Sequence, residues 1–287
     1  MSFADAVIGW YHQNKRDLPW RHDGFTAWGT LVSEFMLQQT PVARVIPRLE
    51  EWLTRWPTPA DLATVPPGEA VRAWQSLGYP RRALWLHACA VAITENHGGV
   101  VPDDVNALLA LPGVGDYTAR AVAVFAYGER HPVVDTNIRR VIARAVDGHG
   151  QPGPPAAGAD LAAMEALLPR DRAAAAAFNA GMMELGALVC VARAPRCADC
   201  PLREACAWRL DGFPPYDGPR KSVQKKYEGS DRQVRGLILS ELRASHVPVT
   251  AEEIEALWPD APQRDRALAG LLADGLAVRT PDGYVLP

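Results

Sequence analysis

The chain has 287 residues, room for about two domains at ~150 residues each. An apolar fraction of 48 % and a charged fraction of 22 % exclude wholesale disorder, and no stretch reaches the ~18 uncharged apolar residues that a membrane span needs. The net charge of −3 averages a neutral segment 1–228 (24 basic, 24 acidic) and an acidic segment 229–287 (6 basic, 9 acidic), which excludes indiscriminate polyanion binding but leaves room for a basic face.

The pattern is helical almost throughout. Ser2 is suited to cap a first helix ending near Asn14, and Thr26 a second running to about Gln38. Further helical segments are expected over 42–56, 69–77, 81–97, 104–110, 116–127, 136–147, 157–168 and 171–189, with Pro and Gly punctuating them at 57–59, 66–68, 98–102, 112–115 and 151–155. The Pro/Gly/Ala run 151–158 is a candidate subdomain crossing. Residues 212–229 read as an exposed linker with a basic end at Arg220, Lys221, Lys225 and Lys226. Beyond it, 231–245, 250–258 and 262–274 form three short helices, and 277–286 a hairpin turning at 281–283. Three helices and a two-stranded wing suggest a small winged-helix module. Its third helix turns Ala267, Leu268, Leu271 and Leu272 inward and offers Arg264 and Arg266 outward, a poor groove-binding face beside Asp265 and Asp274.

Four of the five cysteines crowd into C-x6-C-x2-C-x5-C: Cys190, Cys197, Cys200 and Cys206. The N-terminal residues carry no signal-peptide pattern, so the cluster reads as a metal site before it reads as disulfides. Spacing alone suits zinc and an iron–sulfur cluster equally. Cys89, alone among apolar residues, reads as core. In Leu111-Pro-Gly-Val-Gly-Asp-Tyr-Thr-Ala119, a Pro-Gly-x-Gly turn between helices can aim bare N–H groups at an anion such as a DNA phosphate, or can simply let two helices pack. Asp135, in Val133-Val-Asp-Thr-Asn-Ile-Arg-Arg140, is suited to be a helix N-cap. Glu34 sits between Leu31 and Leu37 at helical spacing, either at the edge of the apolar stripe or desolvated, as a general acid would be.

Taken in order, SEFMLQQT at 33–40, LGY at 77–79, LPGVGDYTA at 111–119, VDTN at 134–137 and the cysteine spacing resemble the MutY-type adenine DNA glycosylases of the helix–hairpin–helix superfamily. The resemblance covers roughly residues 1–210, and the tail is similar to that of actinobacterial members. It implies an all-α fold with a glycosylase core over 1–211, a 4Fe–4S cluster loop at 190–206, a linker over 212–229 and a winged-helix-like module over 230–287. It also implies a monofunctional enzyme of base excision repair, a monomer of the cytoplasm and nucleoid without membrane association. Its partner would be double-stranded DNA, from which it flips and excises adenine mispaired with 8-oxoguanine or guanine.

Residue by residue, Glu34 matches the acid that protonates adenine N7 and Asp135 the carboxylate facing the sugar. Tyr117 lies beside the reacting nucleotide, and Asn137 supports Asp135. Arg16, Trp20 and Arg21 match the N-terminal side of the base pocket. Gln39, Thr40 and Tyr79 match residues that wedge into the duplex at the estranged base, and Gly113 and Gly115 match the hairpin that meets the backbone. The four cysteines match the cluster ligands. The chain departs from the family in having Pro80 where a second Tyr is common and Thr136 where Gly is common, and in lacking the C-terminal Nudix-like domain by which many members recognise 8-oxoguanine. The tail is therefore expected to be an accessory module.

Three rivals are weaker. An endonuclease III-like lyase needs a nucleophilic Lys where Tyr117 stands, and no Lys occurs between Lys15 and Lys221. A thymine mismatch glycosylase has no purine N7 for Glu34 to protonate. A non-enzymatic regulator with cluster and winged helix leaves Glu34, Tyr117 and Asp135 idle.

Overall fold

In a computed structural model, the described residues are 2–219 and 226–287, so Arg220, Lys221 and Lys225 of the basic run lie outside them. Along the chain the helices are α1 (Phe3–Asn14), α2 (Ala27–Leu37), α3 (Val42–Arg55), α4 (Pro59–Ala63), α5 (Pro67–Trp74), α6 (Arg81–Asn96), α7 (Val105–Leu109) and α8 (Asp116–Tyr127). They continue as α9 (Thr136–Ala145), α10 (Ala157–Leu167), α11 (Arg172–Leu188), α12 (Ala207–Leu210), α13 (Asp231–Ala244), α14 (Ala251–Leu257) and α15 (Ala261–Ala273), before the strands β1 (Val278–Thr280) and β2 (Gly283–Val285). The fold is therefore all-α apart from the terminal hairpin. Among the described residues no helix is long and apolar enough to cross a membrane.

The helices form two compact units, Met1–Ala27 with Asp103–Asn106 and Gly115–Lys221, and Trp28–Pro102 with Ala107–Val114 and Ser222–Pro287. The Pro/Gly/Ala run 151–158 lies wholly inside the first unit, so it is not the crossing expected of it. Loop composition marks flexibility of the backbone, not where contacts thin out.

In the first unit, α1 opens on a capping box: Ser2 Oγ accepts from the Asp5 N–H at 3.1 Å, and the Asp5 carboxylate accepts from the Ser2 N–H at 3.0 Å. Its Val7 joins Ile138, Val141, Phe178, Met182 and Leu185 in one apolar core. α1 lies so close on α11 that a Cβ at Gly181 would come within 2.9 Å of Val7 Cγ1.

The second unit is built on tryptophans. Trp52 meets Trp56 at 4.7 Å and Trp74 at 5.8 Å between ring centroids, edge to face, and Trp28 Nε1 donates to the Trp56 carbonyl at 3.0 Å. Residues 57–59, expected only as a break, start α4: Thr58 and Asp61 form a capping box, and Pro59 occupies the first turn, where its missing N–H costs nothing. The tail folds as three helices and the antiparallel pair β1–β2, with Val249 bridged to Tyr284 behind it. Ala267 and Leu271 face its core. Arg264 does not face outward as expected; it donates to the Trp258 carbonyl at 3.0 Å and the Glu255 carbonyl at 3.3 Å, satisfying the open C-terminal end of α14.

Candidate active site and cysteine cluster

Asp135 is the N-cap of α9. Its Oδ1 accepts from the backbone N–H of Asn137 at 2.9 Å and of Ile138 at 2.7 Å, while Asn137 Nδ2 donates to its other oxygen at 2.7 Å. Burial raises the Asp135 carboxyl above its ordinary range, opposed by the hydrogen bonds from Ile138 and Asn137 and by the charge of Arg140. Arg140 Nη2 in turn donates to Asn137 Oδ1 at 2.8 Å, and its Nε donates to the Cys190 carbonyl at 2.6 Å. The carboxylate and the first cysteine are thus joined through two side chains.

Two residues not singled out from sequence hold this corner. Gly186 of α11 lies against Asn137, where a Cβ would meet Asn137 Cβ at 2.7 Å. Asn179 is fully buried; its Oδ1 accepts from the Val133 N–H at 2.9 Å and its Nδ2 donates to the His131 carbonyl at 3.1 Å, fixing the strand-like approach to Asp135. A buried polar side chain on an otherwise apolar helix face was the available signal. Tyr117, half-buried in the first turn of α8, packs on Ala121, Val124 and Val133.

The N-terminal pocket residues have a structural partner that sequence reasoning missed. Glu184 of α11, 1 % exposed, receives Arg16 Nη2 at 2.8 Å and Arg21 Nη2 at 2.9 Å. Despite its burial, hydrogen bonds from the two guanidinium groups bring the Glu184 carboxyl down to about 2. Arg16 and Arg21 therefore hold the segment before α2 in place; Trp20, between them, is half-buried.

Glu34 and the wedge residues belong to the second unit. α2 buries every residue from Trp28 to Met36, and Glu34 is 6 % exposed, so the desolvated alternative holds and the stripe's edge does not. At the end of α2 the chain turns through Gln39, exposed with φ +56°, and buried Thr40, whose Oγ1 donates to the Leu77 carbonyl at 3.1 Å. Tyr79, also left-handed at φ +48°, is 55 % exposed. Arg82 ties these two turns together. Only 3 % exposed, it donates to the carbonyls of Phe35 at 2.7 Å, Gln38 at 2.5 Å and Gly78 at 3.0 Å, with Tyr79 and Trp74 rings 5.3 Å and 5.4 Å from its guanidinium carbon. Burial lowers it to about 10. It stands in the first turn of α6 beside Arg81, so nothing local in the sequence marks it as buried.

The two hairpin glycines serve different ends. Gly113 has φ +76°, and a Cβ there would strike Trp85 Cβ at 2.6 Å, so packing requires it. Gly115 caps α8 without a side-chain hydrogen bond, and a Cβ there would meet nothing within 4 Å. Open space over bare N–H groups suits a backbone phosphate.

All four clustered cysteines are free thiols and line one pocket with Arg144 and Trp208. Among the described residues, no three His, Cys, Asp or Glu side chains converge as ligands of a single ion do. Four thiols facing one pocket are a donor set that suits zinc and an iron–sulfur cluster alike. Burial pushes Cys200 up to about 11, so ligation must release its proton. Arg144 supplies positive charge at the cavity: it donates to Cys190 Sγ at 3.5 Å and the Val191 carbonyl at 2.7 Å, and stacks 4.8 Å from the Trp208 ring. Cys89 is fully buried in the second unit and pushed up to about 12, an inert core thiol as expected.

Comparison with known proteins agrees with this architecture. Residues 32–163 match the model of the HhH-GPD superfamily base excision DNA repair proteins. The chain is 55 % identical over 283 residues to the adenine DNA glycosylase of Mycobacterium tuberculosis, covering 98 % of this chain and 92 % of that protein. The solved structure of a thermostable thymine-DNA glycosylase superposes with a TM-score of 0.65 at 28 % identity, over 73 % of this chain and 95 % of the other. A non-covalent endonuclease III–DNA complex shares the fold at a TM-score of 0.63 and 23 % identity, over 73 % of this chain and 94 % of that one.

Proposed function

The chain belongs to the HhH-GPD superfamily of base excision DNA repair proteins and, within it, to the adenine DNA glycosylases, and from that membership we propose that it flips and excises adenine paired with 8-oxoguanine or guanine. A base inside a duplex is out of reach of any side chain, so it must first leave the stack at a cost of a few kcal/mol. Gln39 and Tyr79 are the wedge that offsets this cost. Both are exposed, and both are held in left-handed backbone conformations that a side chain adopts only under constraint.

Once the base is out, Glu34 donates a proton to adenine N7 as the C1′–N9 bond breaks. Positive charge grows at C1′ and the ring oxygen, and the Asp135 carboxylate faces it. Water adds to C1′ and gives up one proton, which balances the one spent on the base. Asn137 and the α9 N–H groups aim Asp135 and favour its ionised form against burial. The Gly115 turn takes a phosphate, Tyr117 flanks the nucleotide, and Arg16, Trp20 and Arg21 close the pocket's N-terminal side. Cys190, Cys197, Cys200 and Cys206 would hold a 4Fe–4S cluster, whose ligation would crosslink the loop 190–206. The protein acts as a monomer on double-stranded DNA, in the cytoplasm at the nucleoid.

The observation that carries the assignment is the burial of Glu34: a carboxyl withdrawn from water on an apolar helix is suited to hand over a proton. Glu34→Gln keeps shape and removes the proton. It is expected to lower single-turnover excision from 8-oxoguanine:A duplexes by about a hundredfold or more with unchanged duplex affinity, since a positioned acid contributes ~10²–10⁴. Near-normal excision would sink the assignment. Run with G:A, G:T and uracil duplexes, the same assay separates adenine excision from thymine excision. With Tyr117 where a lyase has its lysine, the strand stays intact until heat or alkali cuts it.

A further inference from the structure

The tail and the Tyr79 loop are parts of one unit, and the tail grips the helices on both sides of that loop. Before the loop lies α5. There the Gly68 N–H donates to the Pro287 carbonyl at 2.6 Å, so close that a Cβ on Gly68 would lie 2.3 Å from that oxygen and 2.9 Å from Leu286 Cβ. One turn on, Arg243 of α13 donates Nε to the Val71 carbonyl at 3.0 Å, and Arg72 answers with a hydrogen bond to the Arg243 carbonyl. After the loop lies α6. Its first residue, Arg81, pairs at 3.2 Å with Asp274, the C-cap of α15, and Asp274 is held in turn by Arg235 at 2.5 Å.

Between these grips, Gln75 at φ +46°, Gly78 at φ +84° and Tyr79 at φ +48° make a strained turn. Such turns persist only where the surroundings over-determine them. From inside, Trp74 Nε1 and Arg82 both donate to the Gly78 carbonyl at 3.0 Å. From outside, the tail fixes the two helix ends that the loop must span.

The tail's own charges argue against groove reading. Arg235 is held by Asp274, Arg264 by the end of α14, Arg266 pairs with Asp231 at 3.5 Å, and Arg243 is turned onto α5. We propose that residues 231–287 are a buttress: they set the conformation of the Tyr79 loop, and through it the preference for 8-oxoguanine over guanine opposite adenine. This rests on the assignment of Tyr79 as a wedge residue.

Gly68→Val tests it from the body of the unit, adding a side chain where Pro287 lies while leaving every charge, every tail residue and the residues assigned to DNA unsubstituted. Asp274→Arg tests it from the tail. In the full-length protein, both are expected to raise amide hydrogen exchange over 75–80 about tenfold or more, with the first unit's amides unchanged. Both should lower the ratio of single-turnover excision rates, 8-oxoguanine:A over G:A, by about tenfold. Tyr79→Ala should lower it equally, and Gly68→Val combined with Tyr79→Ala should add nothing further, the mark of one shared pathway. If 283–287 is released in Gly68→Val and exchange over 75–80 stays at the wild-type rate, the buttress is overturned, whatever Tyr79 does. If exchange rises but Tyr79→Ala keeps the wild-type ratio, the wedge assignment falls, and with it the route from tail to specificity. Additive losses in the double variant overturn that route as well.

Discussion

Asp135 shows how one carboxylate can cap a helix and stay suited to the reaction proposed for it. As an N-cap it accepts two backbone N–H groups, and the same hydrogen bonds favour the ionised form that the reaction needs, against the burial that raises it. Asn137 adds a side-chain hydrogen bond of 2.7 Å to the other oxygen. Asn137→Ala removes a contact that lowers the carboxyl's pKa, so Asp135 takes up its proton at higher pH. In its proposed role Asp135 acts in the ionised form, so the acid limb of the pH–rate profile is expected to move upward, not downward. Single-turnover rates from acid to neutral pH check this. An unmoved limb would assign the titration to another group.

At the scale of elements, the proposed wedge is an arrangement of two turns rather than a pair of residues. Arg82 sits behind both and meets carbonyls from the end of α2 and from the LGY loop. A planar guanidinium can serve three such acceptors at once, whereas an ammonium is a point charge that cannot span them. Arg82→Lys is expected to cost about 2–3 kcal/mol in urea unfolding, because buried carbonyls lose charged donors. It should also weaken flipping, read as a smaller rise in 2-aminopurine fluorescence on a target-site duplex. Wild-type fluorescence from a correctly folded Arg82→Lys protein would show that the turns hold their shape without it. A comparable fork operates in the first unit, where Glu184 draws Arg16 and Arg21 onto α11.

At the scale of the molecule, the four cysteines are connected to more than their own loop. Cys190 is reached by Arg140, which also holds Asn137, and by Arg144, which lines the cavity. Losing a ligand should therefore be felt at the start of α9. Cys200→Ser is expected to lose the brown absorbance near ~400 nm and the bound iron, and to raise hydrogen exchange over 135–140, because ligation energy is folding energy in such loops. Stoichiometric zinc in anaerobically purified wild-type protein, without iron or sulfide, would overturn the cluster assignment.

The amino-acid sequence by itself determined the helices and the chemistry-bearing motifs. α8 matches its expected bounds of 116–127, and the three tail helices and the hairpin fall within a residue or two of expectation, because caps, apolar periodicity and Gly/Pro breaks act over single turns. The core placement of Cys89 and the capping role of Asp135 were legible for the same reason. Tertiary structure decided what local signals cannot carry. Glu34 could have been an edge residue until α2 proved buried all round. Arg16 and Arg21 found a partner more than 160 positions away, Arg82 joined turns 40 positions apart, and Arg243 and Asp274 seated the tail on α5 and α6. Each of these is a charged side chain whose partner is remote in sequence. Its pairing is set by which helices the apolar cores bring together, and the surrounding residues do not encode it.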